Sequence, residues 1–266
     1  MSINHRVESG VLEIVVDTPP VNALPVAEWF ELARILRSIP AHTGYTGGPA
    51  EVRAVLLRAE GRGFNAGVDI KEMQASEGHG ALVGANRGCY AAFSAVYHCP
   101  VPVVAAVNGY CLGGGIGLVG NADVIVASED ASFGLPEVDR GALGAATHLA
   151  RLVPQHKMRA MVYTCARASA AELHAWGSVL KVVPREALRD EAFAVAAAIA
   201  AKPAAVIRAA KASLNGIDPI DVDKSYRYEQ GFTFELNLIG EGDRARDAFV
   251  SDEDSGKDSG KDSGDE

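Results

Sequence analysis

Asn108-Gly109-Tyr110-Cys111-Leu112-Gly113-Gly114-Gly115-Ile116-Gly117 follows the apolar, β-branched run Val101–Val107, and it is too rich in glycine to be ordinary core. Upstream, Gly63-Phe64-Asn65-Ala66-Gly67-Val68-Asp69 follows a second such run, Val52–Leu57, in the same way. A glycine-rich turn after a buried strand lets a peptide N–H face a ligand with no side chain in between. Two such amides aimed at one oxygen form an oxyanion hole, each donor typically supplying roughly 3 to 4 kcal/mol of transition-state stabilisation. Chemistry through an enolate or a tetrahedral adduct is the expectation.

The rest of the chain supports an α/β layout. Val11–Val16 and Val124–Ala127 read as further buried strands, and Val26–Ser38 carries Trp29, Leu32, Ala33 and Leu36 at helical spacing behind Pro25. Gly84–His98 reads as a helix stopped by Pro100, and Ser169-Ala170-Ala171-Glu172 has the form of a capping box. After Pro184 the spacing predicts helices over Arg185–Ala201, Ala204–Leu214 and Asp221–Leu238, with Phe232 and Phe234 on exposed faces. Three regions follow: a core over 1–183, a helical region over 184–250 and an acidic tail over 251–266.

Composition narrows the function. The chain has 266 residues and is 48% hydrophobic, enough for a full core, and no apolar run reaches the length of a membrane span. The polar start Met1-Ser2-Ile3-Asn4-His5-Arg6 lacks a secretion signal's hydrophobic stretch, so a cytoplasmic location is expected. Cys89, Cys99, Cys111 and Cys165 lack paired CxxC spacing, and the histidines do not cluster, so neither disulfides nor a metal is expected. Of the net charge of −9, five charges fall in the Ser251–Glu266 repeat of Asp, Ser, Gly and Lys, which reads as a disordered tail. Nothing basic enough for nucleic acid remains. Pro40–Pro49 reads as an inserted surface loop.

The two glycine-rich motifs, with Pro20-Val21-Asn22-Ala23-Leu24, Asp69-Ile70-Lys71-Glu72-Met73, Asn121-Ala122-Asp123-Val124-Ile125 and Asp247-Ala248-Phe249 around them, resemble the crotonase, or enoyl-CoA hydratase/isomerase, superfamily over nearly the whole length. The resemblance implies a crotonase (ClpP-like) spiral of ββα units, a helical C-terminal trimerisation region, and a homotrimer or homohexamer. It implies an acyl-CoA substrate whose thioester oxygen is held by the amides of Ala66 and Gly114. Coenzyme A belongs to that substrate, and no separate cofactor is implied. Its adenine and pantetheine arm are expected along Asn22, Ala23 and Leu24 and the loop with Asn65, Val68, Asp69 and Ile70.

Hydratases of the superfamily carry two glutamates. The position of the first is Gly117 here, and glycine moves no proton. The second falls on Glu137, in Phe133-Gly134-Leu135-Pro136-Glu137, and is the expected general base; in an apolar cleft its pKa rises toward neutrality. Asp139 is either a second acid or the partner of Arg140. His148 either activates water or makes a helix-start hydrogen bond. Asp69 is expected to cap the helix from Lys71, and Asn65 to reach the substrate. Acidic residues follow Phe249 where the superfamily has a basic pair, which leaves Arg58, Arg62 and Lys71 as phosphate anchors.

Three stretches, 60–73, 135–149 and 228–236, resemble the superfamily's ring-opening hydrolases of steroid breakdown, which cleave a C–C bond of a bicyclic carboxyl-CoA. The small residues Gly141, Ala142, Gly144, Ala145 and Ala146 leave space for such a group. Hydration or isomerisation of another acyl-CoA, and a non-catalytic CoA-binding role, are the alternatives. Gly115-Ile116-Gly117-Leu118-Val119-Gly120 also spells the dinucleotide fingerprint G-x-G-x-x-G, but only a very short helix fits before Asn121, and that reading leaves Ala66 unexplained.

Overall fold

The structure is a computed structural model and describes residues 2–41, 51–76, 78–245 and 247–248. The inserted loop read at Pro40–Pro49 lies almost wholly outside the described residues, and so does the acidic tail. In chain order the strands are β1 Ile3–Glu8, β2 Val11–Val16, β3 Ala54–Ala59, β4 Val103–Val107, β5 Tyr110–Leu112, β6 Val124–Ser128, β7 Ser132–Gly134, β8 Arg167–Ser169 and β9 Lys181–Val183. The helices are α1 Val26–Arg37, α2 Ile70–Ala75, α3 Gly80–Tyr97, α4 Gly114–Val119, α5 Ala146–Leu149, α6 Gln155–Thr164, α7 Ala170–Ala175, α8 Leu188–Ala200, α9 Ala204–Gly216 and α10 Val222–Leu238.

The main sheet runs β1-β2-β3-β4-β6-β9, and a smaller one runs β5-β7-β8. Only β1 is antiparallel in the main sheet, paired to β2 from Ile3 opposite Val16 to Glu8 opposite Val11. Side chains alternate between two buried faces. Leu12, Ile14, Val16, Val55 and Leu57 join the large core with Trp29, Leu32 and Leu36 of α1 and Phe93 and Val96 of α3. Val11, Leu56, Val104 and Ala106 point the other way, onto Ala192, Ala196 and Ala200 of α8. Burial on both faces explains why these strands are continuous apolar runs, and each fully buried Leu, Ile or Val contributes about 1.5–3 kcal/mol. One charge lies between the sheet and α8: Glu13 is fully buried and bonded to Arg6, Arg58 and Arg189.

The α/β layout and the helical C-terminal third stand as the sequence predicts, and Ser169 forms the expected capping box with Glu172. Strand β1 escapes the pattern because it is an edge, buried only at Ile3. The helix expected from Gly84 begins a turn earlier, at Gly80. Among the described residues no single helix is long and apolar enough to cross a membrane. Parallel neighbours β3 and β4 deliver their C-terminal ends side by side, where open α/β sheets bind ligands. The two glycine-rich loops leave from those two ends.

Candidate active site

The loops at 63–69 and 108–114 lie against each other. Asn65 pairs with Cys111, Leu112 N donates to the Asn65 carbonyl at 2.9 Å, and a Cβ placed on Gly67 would stand 3.4 Å from Gly114 N. Gly113 has φ +55 and turns the chain into α4, of which Gly114 is the first residue. The first N–H groups of a helix have no acceptor within the helix, so the amide of Gly114 starts α4 unused by its own ladder. Ala66 is half-buried, and its N–H makes a long bond of 3.4 Å to the Asn22 carbonyl. An incoming oxygen would therefore compete with a weak bond at 66 and meet a helix-end amide at 114.

Two asparagines hold the first loop in shape. Asn22, at φ +55, donates from Nδ2 to the carbonyls of Glu60 and Gly63, both at 2.8 Å. Asn65 donates to the Asn22 carbonyl at 2.6 Å and accepts from Gly67 N at 2.8 Å. Asn65 is 1% exposed with both side-chain ends engaged, which corrects the expectation that it reaches a substrate: its amide is spent on the loop. Leu24 bridges to Val68 and is fully buried, while Ala23, Val68 and Ile70 are half-buried along the ledge expected to take a CoA arm. Asp69 caps α2, accepting from Lys71 N at 2.9 Å and Glu72 N at 3.4 Å. Arg58 is bonded to both Glu13 and Glu60, so it is not free to anchor a phosphate.

Glu137 stands across the turn from Gly113: a Cβ on that glycine would lie 2.6 Å from Oε1. Its Oε2 is buried with no hydrogen-bond partner. Burial pushes its pKa up to about 8; its own amide pulls the other way, Glu229 adds to the rise and Arg140 offsets part of it. Such a carboxyl can exchange a proton near neutral pH. Asp139 is exposed on the short 3-10 turn Val138–Arg140 and faces the Cys165 thiol. His148 is 1% exposed on α5, and neither ring nitrogen has a hydrogen-bond partner, so the expected helix-start bond is not made. Burial, then Arg151, pushes its pKa down to about 3. It stacks edge-on against Phe93 at 5.1 Å and tilted against Tyr226 at 4.9 Å.

The G-x-G-x-x-G glycines serve packing. A side chain at Gly115 would press on Asn65 and Cys111, those at Gly117 and Gly120 would strike the ring of Phe93 and the backbone of His148, and α4 is only six residues long. No phosphate can approach a glycine whose missing side chain is replaced by protein, and the dinucleotide reading falls. Among the described residues no group of three or more His, Cys, Asp or Glu could hold a metal. A cavity of about 1140 Å³ is lined by Arg53, His98, Arg208 and Lys211 and shares no residue with this site.

Sequence reasoning missed the part played by α10. Glu229 accepts from Ala146 N at 2.8 Å and from Thr147 N and Oγ1, both at 3.1 Å. Thr233 Oγ1 bonds both the carbonyl and the N–H of Leu143, at 2.5 and 3.1 Å. A signal was present: Tyr226, Gln230, Thr233 and Asn237 recur at steps of four, three and four, and they form the buried stripe of α10. A polar stripe at core spacing points to a helix that supports other backbone.

The family described as Enoyl-CoA hydratase/isomerase matches residues 6–232. Two relatives are each called "(7aS)-7a-methyl-1,5-dioxo-2,3,5,6,7,7a-hexahydro-1H-indene-carboxyl-CoA hydrolase". The one from Rhodococcus jostii is 65% identical over 91% of this chain and 91% of its own. The one from Mycobacterium tuberculosis is 63% identical over 91% of this chain and 96% of its own. Among solved structures, an enoyl-CoA hydratase/isomerase from Xanthobacter autotrophicus Py2 superposes with a TM-score of 0.81 at 27% identity, covering 94% of this chain and 92% of that one.

Proposed function

The chain belongs to the enoyl-CoA hydratase/isomerase family, and from that premise we propose that it is an acyl-CoA hydrolase that opens a ring C–C bond of a methyl-dioxo-hydroindene carboxyl-CoA. The observation that carries this is the identity of 65% and 63%, over 91% of the chain, to two hydrolases of that name.

In this reading Glu137, as the carboxylate, takes a proton from water while the oxygen adds to the ring ketone. The tetrahedral adduct collapses to a carboxylic acid, and the C–C bond breaks. Its electron pair passes through the conjugated enone to the thioester oxygen, which the amides of Ala66 and Gly114 stabilise. The proton on Glu137 then returns to carbon. One base and one electron sink are enough for this sequence. That fits a site in which the ring of Phe93 stands where a second acid at Gly117 would project, an arrangement that counts against hydration by a pair of glutamates.

Exposed Val206, Leu214 and Ile217 at α9, and Tyr228, Leu238 and Ile239 at α10, support assembly of copies into a homotrimer or homohexamer. The function is tested by incubating the protein with the hydroindene carboxyl-CoA and, separately, with crotonyl-CoA, followed by mass spectrometry. Gain of one water with ring cleavage in the first alone is expected; hydration of crotonyl-CoA with no ring opening would overturn the proposal.

A further inference from the structure

Helix α10 holds the segment that follows Glu137 at two places, Leu143 through Thr233 and Ala146–Thr147 through Glu229. Between the two clamps lies Gly144, where a Cβ would stand 3.8 Å from Cγ of Glu137. The clamped segment therefore forms the wall against the stem of the base. A glutamine, of the same length and uncharged, would offer one acceptor oxygen where Glu229 uses two. The chain uses a carboxylate, half-buried and within electrostatic reach of Glu137.

We propose that Glu229 is a positioning residue for Glu137: it holds residues 143–147 against the side chain of the base and places a second carboxylate in the field that the base feels. The proposal rests on reading Glu137 as the base. The groups that face Glu137 are Arg140 on its own turn, Cys89 on α3, and Tyr226 and Glu229 on α10. Of these, Arg140 favours the ionised base and Glu229 opposes it. Burial raises the pKa of Glu229 as well, with its bonds to Ala146 and Thr147 pulling the other way. In this proposal the two carboxyl groups lose their protons as an interacting pair.

The test compares wild type, Glu229→Gln and Thr233→Val in two measurements: the pH profile of ring opening, and a carboxyl-carbon NMR titration of the glutamates in the full chain without substrate. Gln keeps the shape at 229, removes the charge and leaves one of the two acceptor oxygens in place. The acid limb of kcat/KM and the Glu137 titration midpoint should both move to lower pH in Glu229→Gln. Thr233→Val loosens the wall without touching a charge, so kcat should fall while the midpoint stays in place. An unmoved midpoint in folded Glu229→Gln overturns the proposal. Should that variant not fold, the wild-type titration decides: coupled movement of the two carboxyl signals supports it, and a single independent step at Glu137 overturns it. Absence of ring opening in wild type would sink the functional reading alone, because the titration still reports on Glu229.

Discussion

The phenyl ring of Phe93 fills the space that a side chain on Gly117 would occupy, so the missing acid and the aromatic ring are one structural fact. Phe93 packs in turn edge-on to Trp29 at 5.7 Å and to His148 at 5.1 Å, which leaves it little room to withdraw. Ala in place of Gly within a helix ordinarily stabilises by about 1 kcal/mol, whereas overpacking a core costs about 1–3 kcal/mol. Gly117→Ala should therefore destabilise, seen as a lower urea midpoint at unchanged slope. A midpoint equal to or above wild type would show that Phe93 yields easily.

Asn65 offers a test of the loop rather than of the chemistry. Asn65→Ala removes two buried hydrogen bonds, each contributing about 0.5–1.5 kcal/mol. Stability should fall, and kcat should fall more than acyl-CoA affinity as the amide at 66 loses its fixed direction. Asn65→Asp preserves the shape but sets a carboxylate oxygen against the Asn22 carbonyl, so at neutral pH it should unfold more easily than Asn65→Ala. The reverse order in thermal melts would contradict the bonding pattern.

Glu137 ties activity and stability to pH in opposite directions. In the proposed mechanism ring opening uses its ionised form, so kcat/KM should rise with pH through about 8. Burial keeps the proton on this group in the folded chain between the ordinary value of 4.5 and about 8. Over that window the native state binds more protons than the unfolded one, and the contribution of this group to stability falls as pH rises. Urea midpoints of Glu137→Gln should lack that part of the decline. Parallel profiles for variant and wild type would mean that Glu137 is ionised throughout.

Glu13 works the other way. Burial alone would raise its pKa, but hydrogen bonds from Arg189, Arg58 and Arg6 bring it down to about 2. The stabilisation is therefore present above 4.5 and is lost as pH falls through about 2. Removing one partner of a buried ion pair typically costs about 3–5 kcal/mol, so Glu13→Gln should be markedly less stable at neutral pH and should lose less on acidification. Equal acid sensitivity in the two chains would rule out this role.

Much of this was legible in the residues themselves. The buried strands, Trp29 and Leu32 on α1 and the two glycine-rich turns follow from local patterns, because strand burial and turn chemistry are written in contiguous residues, whereas Glu137 comes from the resemblance of Phe133–Glu137 to the superfamily's second glutamate. The supports are another matter. Glu229 acts 83 residues from Ala146, and nothing local marks its partner. Phe93 reads as an ordinary core aromatic until α3 is seen to cross Gly117. The side chain of Asn65 turns inward to its own loop, a direction that periodicity does not encode. Long-range pairings decided which residues the site needs; short-range patterns decided where the site would be.

The most direct measurement is turnover of the hydroindene carboxyl-CoA in ¹⁸O-water by wild type and Glu137→Gln, with acyl-CoA binding followed in parallel. Wild type should release a ring-opened acid carrying one new oxygen from water, while the variant binds the acyl-CoA and forms no product. A variant that opens the ring at a rate near wild type would take the base away from Glu137, and the mechanism with it.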